Sequence, residues 1–171
     1  MKKLFPIFVF AILSFMVVSC DTSDDVIVAP QENKVDAQMR DVKGTLNASN
    51  NYSINTGINI LSTDVVLVYR NNNSNSNASA VWQLIPKTYY LPGTTGRELD
   101  YNFLFDSSNV EIYSEANFDQ ATMSSAEMAQ YLTNQTFRIV LIPADPAKNA
   151  KKPDYNDYNA VVKYYNLKEP K

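Results

Sequence analysis

The chain of 171 residues has no histidine and a single cysteine, Cys20. It therefore cannot build a Ser-His-Asp triad, a histidine-bearing zinc site or an imidazole general base from its own residues. A lone cysteine also excludes a disulfide within the chain. With only four glycines and no Gly-x-Gly-x-x-Gly string, the chain lacks the usual dinucleotide loop. We expect no cofactor and no metal, and carboxylates are the main catalytic groups left.

Long apolar runs are confined to the start of the chain. Lys2 and Lys3 precede the apolar run Leu4–Val18, which is broken only by Pro6 and Ser14. Its fifteen residues fall short of the roughly 20 that a permanent membrane-spanning helix needs. Charged start, short apolar core and small residue at the end are the order of a secretory signal. Residues 1–19 are therefore predicted to be a signal peptide.

The end of this segment carries an attachment motif. Val17, Val18 and Ser19 followed by Cys20 resemble the lipobox of bacterial lipoproteins, in which the cysteine becomes a diacylglyceryl cysteine and the bond before it is cut. The resemblance implies that the first three residues direct cleavage and that Cys20 is lipidated. Two or three acyl chains would anchor the protein stably in a membrane. Acylation of Cys20 would also remove its thiol from catalysis.

Acidic residues follow the cysteine directly. The cluster Asp21, Asp24 and Asp25 resembles the export tag of surface-exposed lipoproteins of Bacteroidetes, which implies a lipid-anchored protein of the outer membrane on the cell surface. Two alternatives stay open, since an aspartate after the cysteine also resembles an enterobacterial inner-membrane retention signal, and the acids could simply solvate a linker. A periplasm-facing protein is thus the alternative. Residues 20–36 are predicted to be the lipidated cysteine and a flexible acidic tether.

The remaining chain is long enough for one domain with a core. Without Lys2 and Lys3, 13 basic residues face 18 acidic ones, a net charge near −5. Such a chain has no basic surface for nucleic acid. Abundant tyrosine and asparagine favour strands and the turns between them. We predict a single β-rich domain over residues 37–171.

Strand signals recur along this domain. The cleanest is Leu99–Phe105, in which apolar and polar residues alternate, so that Leu99, Tyr101, Phe103 and Phe105 share one face. Val65–Tyr69 is apolar throughout and indicates a central strand covered on both faces. The other predicted strands are Met39–Leu46, Tyr52–Ile60, Val81–Ile85 continuing past Pro86 to Leu91, Val110–Tyr113 and Phe137–Ile142. The pattern predicts a mainly β fold, an antiparallel β-sandwich or meander of six to eight strands.

Two short helices are predicted at an edge of the sheets. Ser124 and Glu127 have the spacing of a capping box at a helix start. Asp154 can cap a C-terminal helix, since Tyr155, Tyr158 and Val161 recur at helical spacing. Residues 71–79, with five asparagines and three serines, are expected to form an exposed hairpin loop.

Several strings together resemble a known family. They are Asp64–Arg70, Val81–Pro86 with Tyr89-Tyr90, Phe137–Val140 with Pro143–Asp145, and Asp157–Val161. They are similar to small uncharacterised lipoproteins of Bacteroidetes, and the resemblance covers roughly Gly44 to Glu169. Many relatives carry collagen-like Gly-Pro repeats after the cysteine, which are absent here. Some are labelled dihydrolipoamide dehydrogenases, a chemistry that needs a cysteine pair, a histidine and a dinucleotide loop.

Four groups of residues are candidates for function. Asp100 with Asp106, and Glu111 with Glu115, are carboxylate pairs at even spacing that could cleave a glycan, although strand acids usually serve solvation. Asp154, Asn156 and Asp157 could bind calcium, although helix capping explains them more simply. The lysines 148, 151 and 152 could meet an anionic surface. A set of tyrosines could form a contact platform, or be ordinary core and rim: Tyr89, Tyr90, Tyr101, Tyr113, Tyr164 and Tyr165.

The leading functional hypothesis is a non-enzymatic binding or structural module displayed on the outer membrane. Its partners would be the membrane, through the lipid anchor, and an envelope protein or a glycan, with no nucleic acid. The competing hypothesis is a carboxylate-dependent glycan hydrolase. A spacer without any ligand is the third alternative.

Overall fold

The computed structural model describes residues 36–93, 96–144 and 152–170, all of which belong to the unit Val35–Lys171. The predicted signal peptide, Cys20 and all but the last residue of the predicted tether lie outside these residues.

Within these ranges, eight strands form two antiparallel sheets of four strands each. In chain order they are β1 (Gln38–Gly44), β2 (Ser53–Gly57), β3 (Val65–Asn71), β4 (Trp82–Leu84), β5 (Lys87–Tyr90), β6 (Glu98–Phe105), β7 (Asn109–Ala116) and β8 (Gln135–Ile142). Sheet A has the order β1-β8-β3-β4, and sheet B has the order β2-β7-β6-β5. The predicted mainly β, antiparallel sandwich is confirmed.

The core lies between the inner faces of the two sheets. Sheet B contributes alternate residues of β6 and β7, and sheet A contributes alternate residues of β3 and β8; the buried ones include Leu99, Tyr101, Val110, Ile112, Val66, Val68, Phe137 and Ile139. Of the four apolar residues predicted for one face of β6, Leu99 and Tyr101 are fully buried, while Phe105 is 49% exposed. The burial of that face decreases toward the end of β6 because Phe105 lies at the rim of the sandwich.

Strand β3 is covered on both sides, as its continuous apolar sequence predicted. Val66 and Val68 enter the core between the sheets, whereas Leu67 and Tyr69 belong to a second cluster on the outer face of sheet A. The C-terminal helix α2 (Tyr158–Tyr164) contributes Val161 to this second cluster. The helix therefore lies against the outer face of sheet A, and its Tyr158 contacts Trp82 of the edge strand β4.

A buried arginine closes one end of the core. Arg70, at 1% exposure, has its guanidinium carbon 4.9 Å from the ring centroids of both Tyr89 and Tyr101. It donates hydrogen bonds to the Gln135 side chain, to the Asn72 side chain and to the carbonyl of Gln130. Neutral groups satisfy this cation. Sequence reasoning gave no signal for it, because arginine at a strand end is ordinarily solvated.

The helix α1 (Ser125–Tyr131) begins as predicted. Ser124 is its N-cap, and the side chains of Ser124 and Glu127 each accept the other's backbone N–H. The asparagine-rich loop between β3 and β4 contacts the end of this helix, since Asn75 donates to the carbonyls of Ala129 and Thr133. The loop is thus the predicted β-hairpin connection, but it is fastened to the domain.

Two predicted boundaries were wrong. Val81–Leu91 is not one strand, because the chain passes from sheet A to sheet B at Pro86, between β4 and β5; proline has no N–H to donate to a ladder. The C-terminal helix is capped by Asp157 and not by Asp154. The Asp154 carboxylate instead accepts hydrogen bonds from Asn156 two residues on, which forms a turn before the helix.

Candidate functional site: the outer face of sheet B

The outer face of sheet A is occupied by the chain's own C-terminus. Val161 and Leu167 pack there against Tyr69 and neighbouring strand residues. Arg138, on the same face, has its guanidinium carbon 4.1 Å from the Trp82 ring centroid.

Arg138 also joins β1 to the C-terminal segment, through ion pairs with Asp41 and Glu169. It makes two hydrogen bonds to Asp41, at 2.7 and 2.8 Å, and donates to Tyr158 and Glu169 as well. Burial acts to lower the pKa of this guanidinium, but the bonds to Asp41 and Tyr158 outweigh burial and hold the pKa above its usual value. Arg138 is therefore permanently charged, and it holds the C-terminal segment on the outer face of sheet A.

No described segment covers the outer face of sheet B in this way. Because side chains alternate along a strand, the residues between the core positions point outward, and none of them is buried. On β6 and β7 these are Glu98, Asp100, Asn102, Leu104, Asn109, Glu111, Tyr113 and Glu115; on β2 and β5 they are Ser53, Asn55, Thr88 and Tyr90. This described face carries four carboxylates and neither lysine nor arginine.

Two of these acids lie directly opposite each other on neighbouring strands. Asp100 of β6 pairs with Glu115 of β7, and Glu111 pairs with Leu104. Like charges in such a position destabilise a sheet. The hydroxyl of Thr88 donates to Asp100, but the ion pairs among the described residues use other acids, namely Asp41, Glu127 and Glu169. The charge on this face is thus uncompensated within the described chain.

Of the two carboxylate pairs predicted from even spacing, one shares a strand face in the structure and the other does not. Glu111 and Glu115 do share the outer face of β7. Asp106 lies beyond the end of β6, where its carboxylate accepts the backbone N–H groups of Ser108 and Asn109. These bonds, that of Ser108 first, lower the pKa of Asp106. Asp106 is therefore a turn-capping residue, and Glu115 is the nearest acid to Asp100 across the sheet.

The tyrosine set does not form one surface. Tyr101 is fully buried and Tyr89 packs against the core, while Tyr90 and Tyr113 lie on the outer face of sheet B. Tyr90 is 74% exposed. Tyr164 and Tyr165 stack edge to face at 4.8 Å, on and after helix α2. Only Tyr90 and Tyr113 are placed to contribute to a site on sheet B.

The aspartates considered for calcium binding accept hydrogen bonds from nearby backbone N–H groups. Asp154 forms the turn described above, and Asp157 accepts the N–H of Ala160 at 3.0 Å. Across residues 36–93, 96–144 and 152–170 there is no group of three or more acidic or cysteine side chains that could hold a metal ion. Of the three lysines considered, Lys152 is exposed, and Lys148 and Lys151 lie outside the described residues.

The residues of the attachment motif also lie outside the described part of the chain. They are Val17, Val18, Ser19 and Cys20, with the acids Asp21, Asp24 and Asp25. Among the helices that the structure describes, none has the length and apolar character needed to cross a bilayer.

Comparisons with protein-family models, with curated proteins and with solved structures find no match for this chain.

Proposed function

We propose that this chain is an envelope lipoprotein of the Bacteroidetes type that it resembles. Cys20 anchors it in the outer membrane, and the acids after Cys20 direct it to the cell surface. The β-sandwich is a non-enzymatic binding module. Its contact surface is the outer face of sheet B, and its partner is another protein of the envelope.

The uncompensated charge on that face is the observation that supports a binding role. The juxtaposition of Asp100 and Glu115 costs the free protein stability, by up to about 1 kcal/mol for a cross-strand pair. Residues that reduce the stability of the fold in this way are expected at functional sites. Tyr90 adds exposed aromatic area of the kind that contact surfaces use. A partner with basic groups would relieve the repulsion.

The alternative, a carboxylate-dependent glycan hydrolase, has weaker support. Such enzymes hold two carboxyl groups about 5 to 9.5 Å apart on either side of the bond to be cleaved. Asp100 and Glu115 are neighbours on one open sheet face, and neither is buried. Both carboxylates therefore meet solvent from the same side, which favours contact over catalysis.

The binding proposal is tested with the full chain, purified in mild detergent and immobilised. Envelope extract is passed over the wild type and over the variants Tyr90→Ser and Asp100→Asn/Glu115→Gln. We expect one or more envelope proteins retained by the wild type and reduced at least fivefold by both variants. Tyr164→Ser is the matched control, because Tyr164 is also an exposed tyrosine but lies on α2, over the other sheet. Equal retention by all four proteins would refute the proposal, and binding on a glycan array alone would redirect it to a glycan.

Lipidation of Cys20 and display on the cell surface are tested separately in cells. We expect Cys20→Ala to abolish incorporation of a fatty-acid label, since no other cysteine is present. Replacement of Asp21, Asp24 and Asp25 by asparagine should leave the label intact but remove accessibility to protease added outside intact cells. Labelling that persists in Cys20→Ala would refute the lipoprotein assignment.

A further inference from the structure

Among the described residues, sheet B also has a stretch of strand with no neighbouring strand on one side. β7 pairs with β6 over Leu99–Phe105, but β5 pairs with it only over Glu98–Tyr101. β5 begins at Lys87 because the chain comes from sheet A at Pro86. Residues Asn102–Phe105 of β6 are here called the open edge. Within the part of the chain that the structure describes, they have a strand partner on the β7 side alone.

The hydrogen-bond pattern shows which backbone groups face the open side. Asn117 donates to the carbonyl of Glu98, and Asp106 donates to that of Asn109, so the even-numbered residues of β6 bond to β7. In an antiparallel ladder the alternate residues point their N–H and C=O groups the other way. These are Phe103 and Phe105 in the open edge, which together offer two donors and two acceptors.

The open edge lacks the side chains that usually keep an edge strand from pairing with another chain. Natural edge strands usually carry charges or proline that discourage pairing, as β1 does with Arg40, Asp41 and Lys43. The open edge has no charged residue. Leu104 is 60% exposed and Phe105 is 49% exposed, and the Phe105 ring stacks on Phe103 at 6.2 Å.

Lys87 of β5 lies beside the start of the open edge, opposite Tyr101 and thus in register with the inner side, whereas the outer side is acidic. Asp100 and Asp106 lie at its two ends, and Glu111 lies opposite Leu104 on the outer face. A strand added here would place alternate side chains against the phenylalanines on the inner side and against these acids on the outer side. The charge of the outer side selects basic residues at those positions.

We propose that the open edge binds an extended segment of a partner protein by strand addition, and that apolar residues alternate with lysine or arginine in this segment. The inference rests on the proposed function and deepens it, because it names the chemistry of the partner. Four residues of strand span about 13 Å, so the segment is short. Strand addition supplies affinity through backbone bonds and specificity through alternate side chains.

The test uses a fluorescent peptide of four Lys-Val repeats and the full chain in mild detergent, with binding measured by anisotropy. A peptide of the same composition without alternation, and one with N-methylated valine amides, should each bind at least tenfold more weakly. Hydrogen exchange at the amides of Phe103 and Phe105 should slow on binding. Equal binding of the alternating and reordered peptides would overturn the proposal, since charge alone would then explain it.

Protein variants locate the site. Leu104→Ser with Phe105→Ser should weaken binding at least fivefold, whereas Leu61→Ser, at a 71% exposed leucine in a turn, should not. Thermal melts check that the exposed positions leave the fold intact. If Tyr90→Ser abolishes retention of envelope proteins while the open-edge variants bind the peptide normally, the proposed function stands and strand addition is wrong. If sedimentation instead shows a dimer that the peptide dissociates, the occupant is a second copy and the stated partner is wrong.

Discussion

Replacing the buried Arg70 tests how the end of the core is held. In Arg70→Met the side chain keeps its bulk but loses every hydrogen bond to Gln135, Asn72 and the Gln130 carbonyl. Asn72 retains the bond from the Tyr89 hydroxyl, so the cost arises mainly at the other two acceptors. Buried bonds to a charged group contribute about 1.5 to 3 kcal/mol each. With two acceptors left unpaired, we expect the free energy of unfolding to fall by about 3 to 6 kcal/mol.

The measurement is urea unfolding followed by the fluorescence of Trp82, the only tryptophan. For a slope of about 2 kcal/mol per molar urea, the midpoint should fall by about 2 M. Arg70→Lys should lie between wild type and Arg70→Met, because an ammonium cannot reproduce the planar set of donors. Arg40→Met is the control. Arg40 also donates hydrogen bonds, to the Thr56 hydroxyl and the Gly57 carbonyl, but these bonds are exposed, so their loss should cost less than about 1 kcal/mol. A change below 1 kcal/mol in Arg70→Met would refute the reasoning that this network stabilises the core.

Three further predictions concern local features. Ser124→Ala removes the N-cap of α1 and should lower the free energy of unfolding by about 1 kcal/mol, with Ser125→Ala expected to be near neutral in the same urea assay. Asn134, at φ 50°, should tolerate glycine but lose about 1 kcal/mol on change to alanine, because a Cβ disfavours the left-handed region; equal midpoints for the two variants would contradict this. Burial raises the pKa of Tyr158 from 10.0 to about 12, so its contribution to stability is complete below pH 10 and is lost as pH rises toward 12. Tyr158→Phe should flatten that part of the stability profile, and a phenol titrating near 10 in the ultraviolet absorbance difference between wild type and variant would contradict the assignment.

The parts of the fold that were predictable depend on local pattern. The alternation in Leu99–Phe105 and the capping box at Ser124 are written in consecutive residues, and both appear as β6 and α1. The start of α2 was misplaced because Asp154 and Asp157 are equally good caps in sequence. The choice between them depends on the turn that Asp154 makes with Asn156.

Features that join distant residues could not be predicted. Arg138 meets Asp41 and Glu169, which lie 97 and 31 positions away in sequence, and no spacing rule connects them. The candidate site also depends on contacts between residues that are distant in sequence. Even spacing identified Glu111 and Glu115 as sharing a face, but the opposition of Asp100 and Glu115 follows from the register between β6 and β7. The open edge depends on where β5 ends, which Pro86 indicates only once the two sheets are known.

The position of β1 has a mechanical consequence. The segment before Gln38 leads into β1, which pairs with β8 alone at the edge of sheet A over seven register positions. If the proposed lipid anchor holds the chain at its N-terminus, a pull on the proposed partner is transmitted through this strand. The inter-strand bonds run perpendicular to the strands, so tension along β1 loads the whole ladder in shear, whereas tension across it would separate the pairs one after another. The direction of pulling therefore determines how much force the pairing of β1 with β8 withstands.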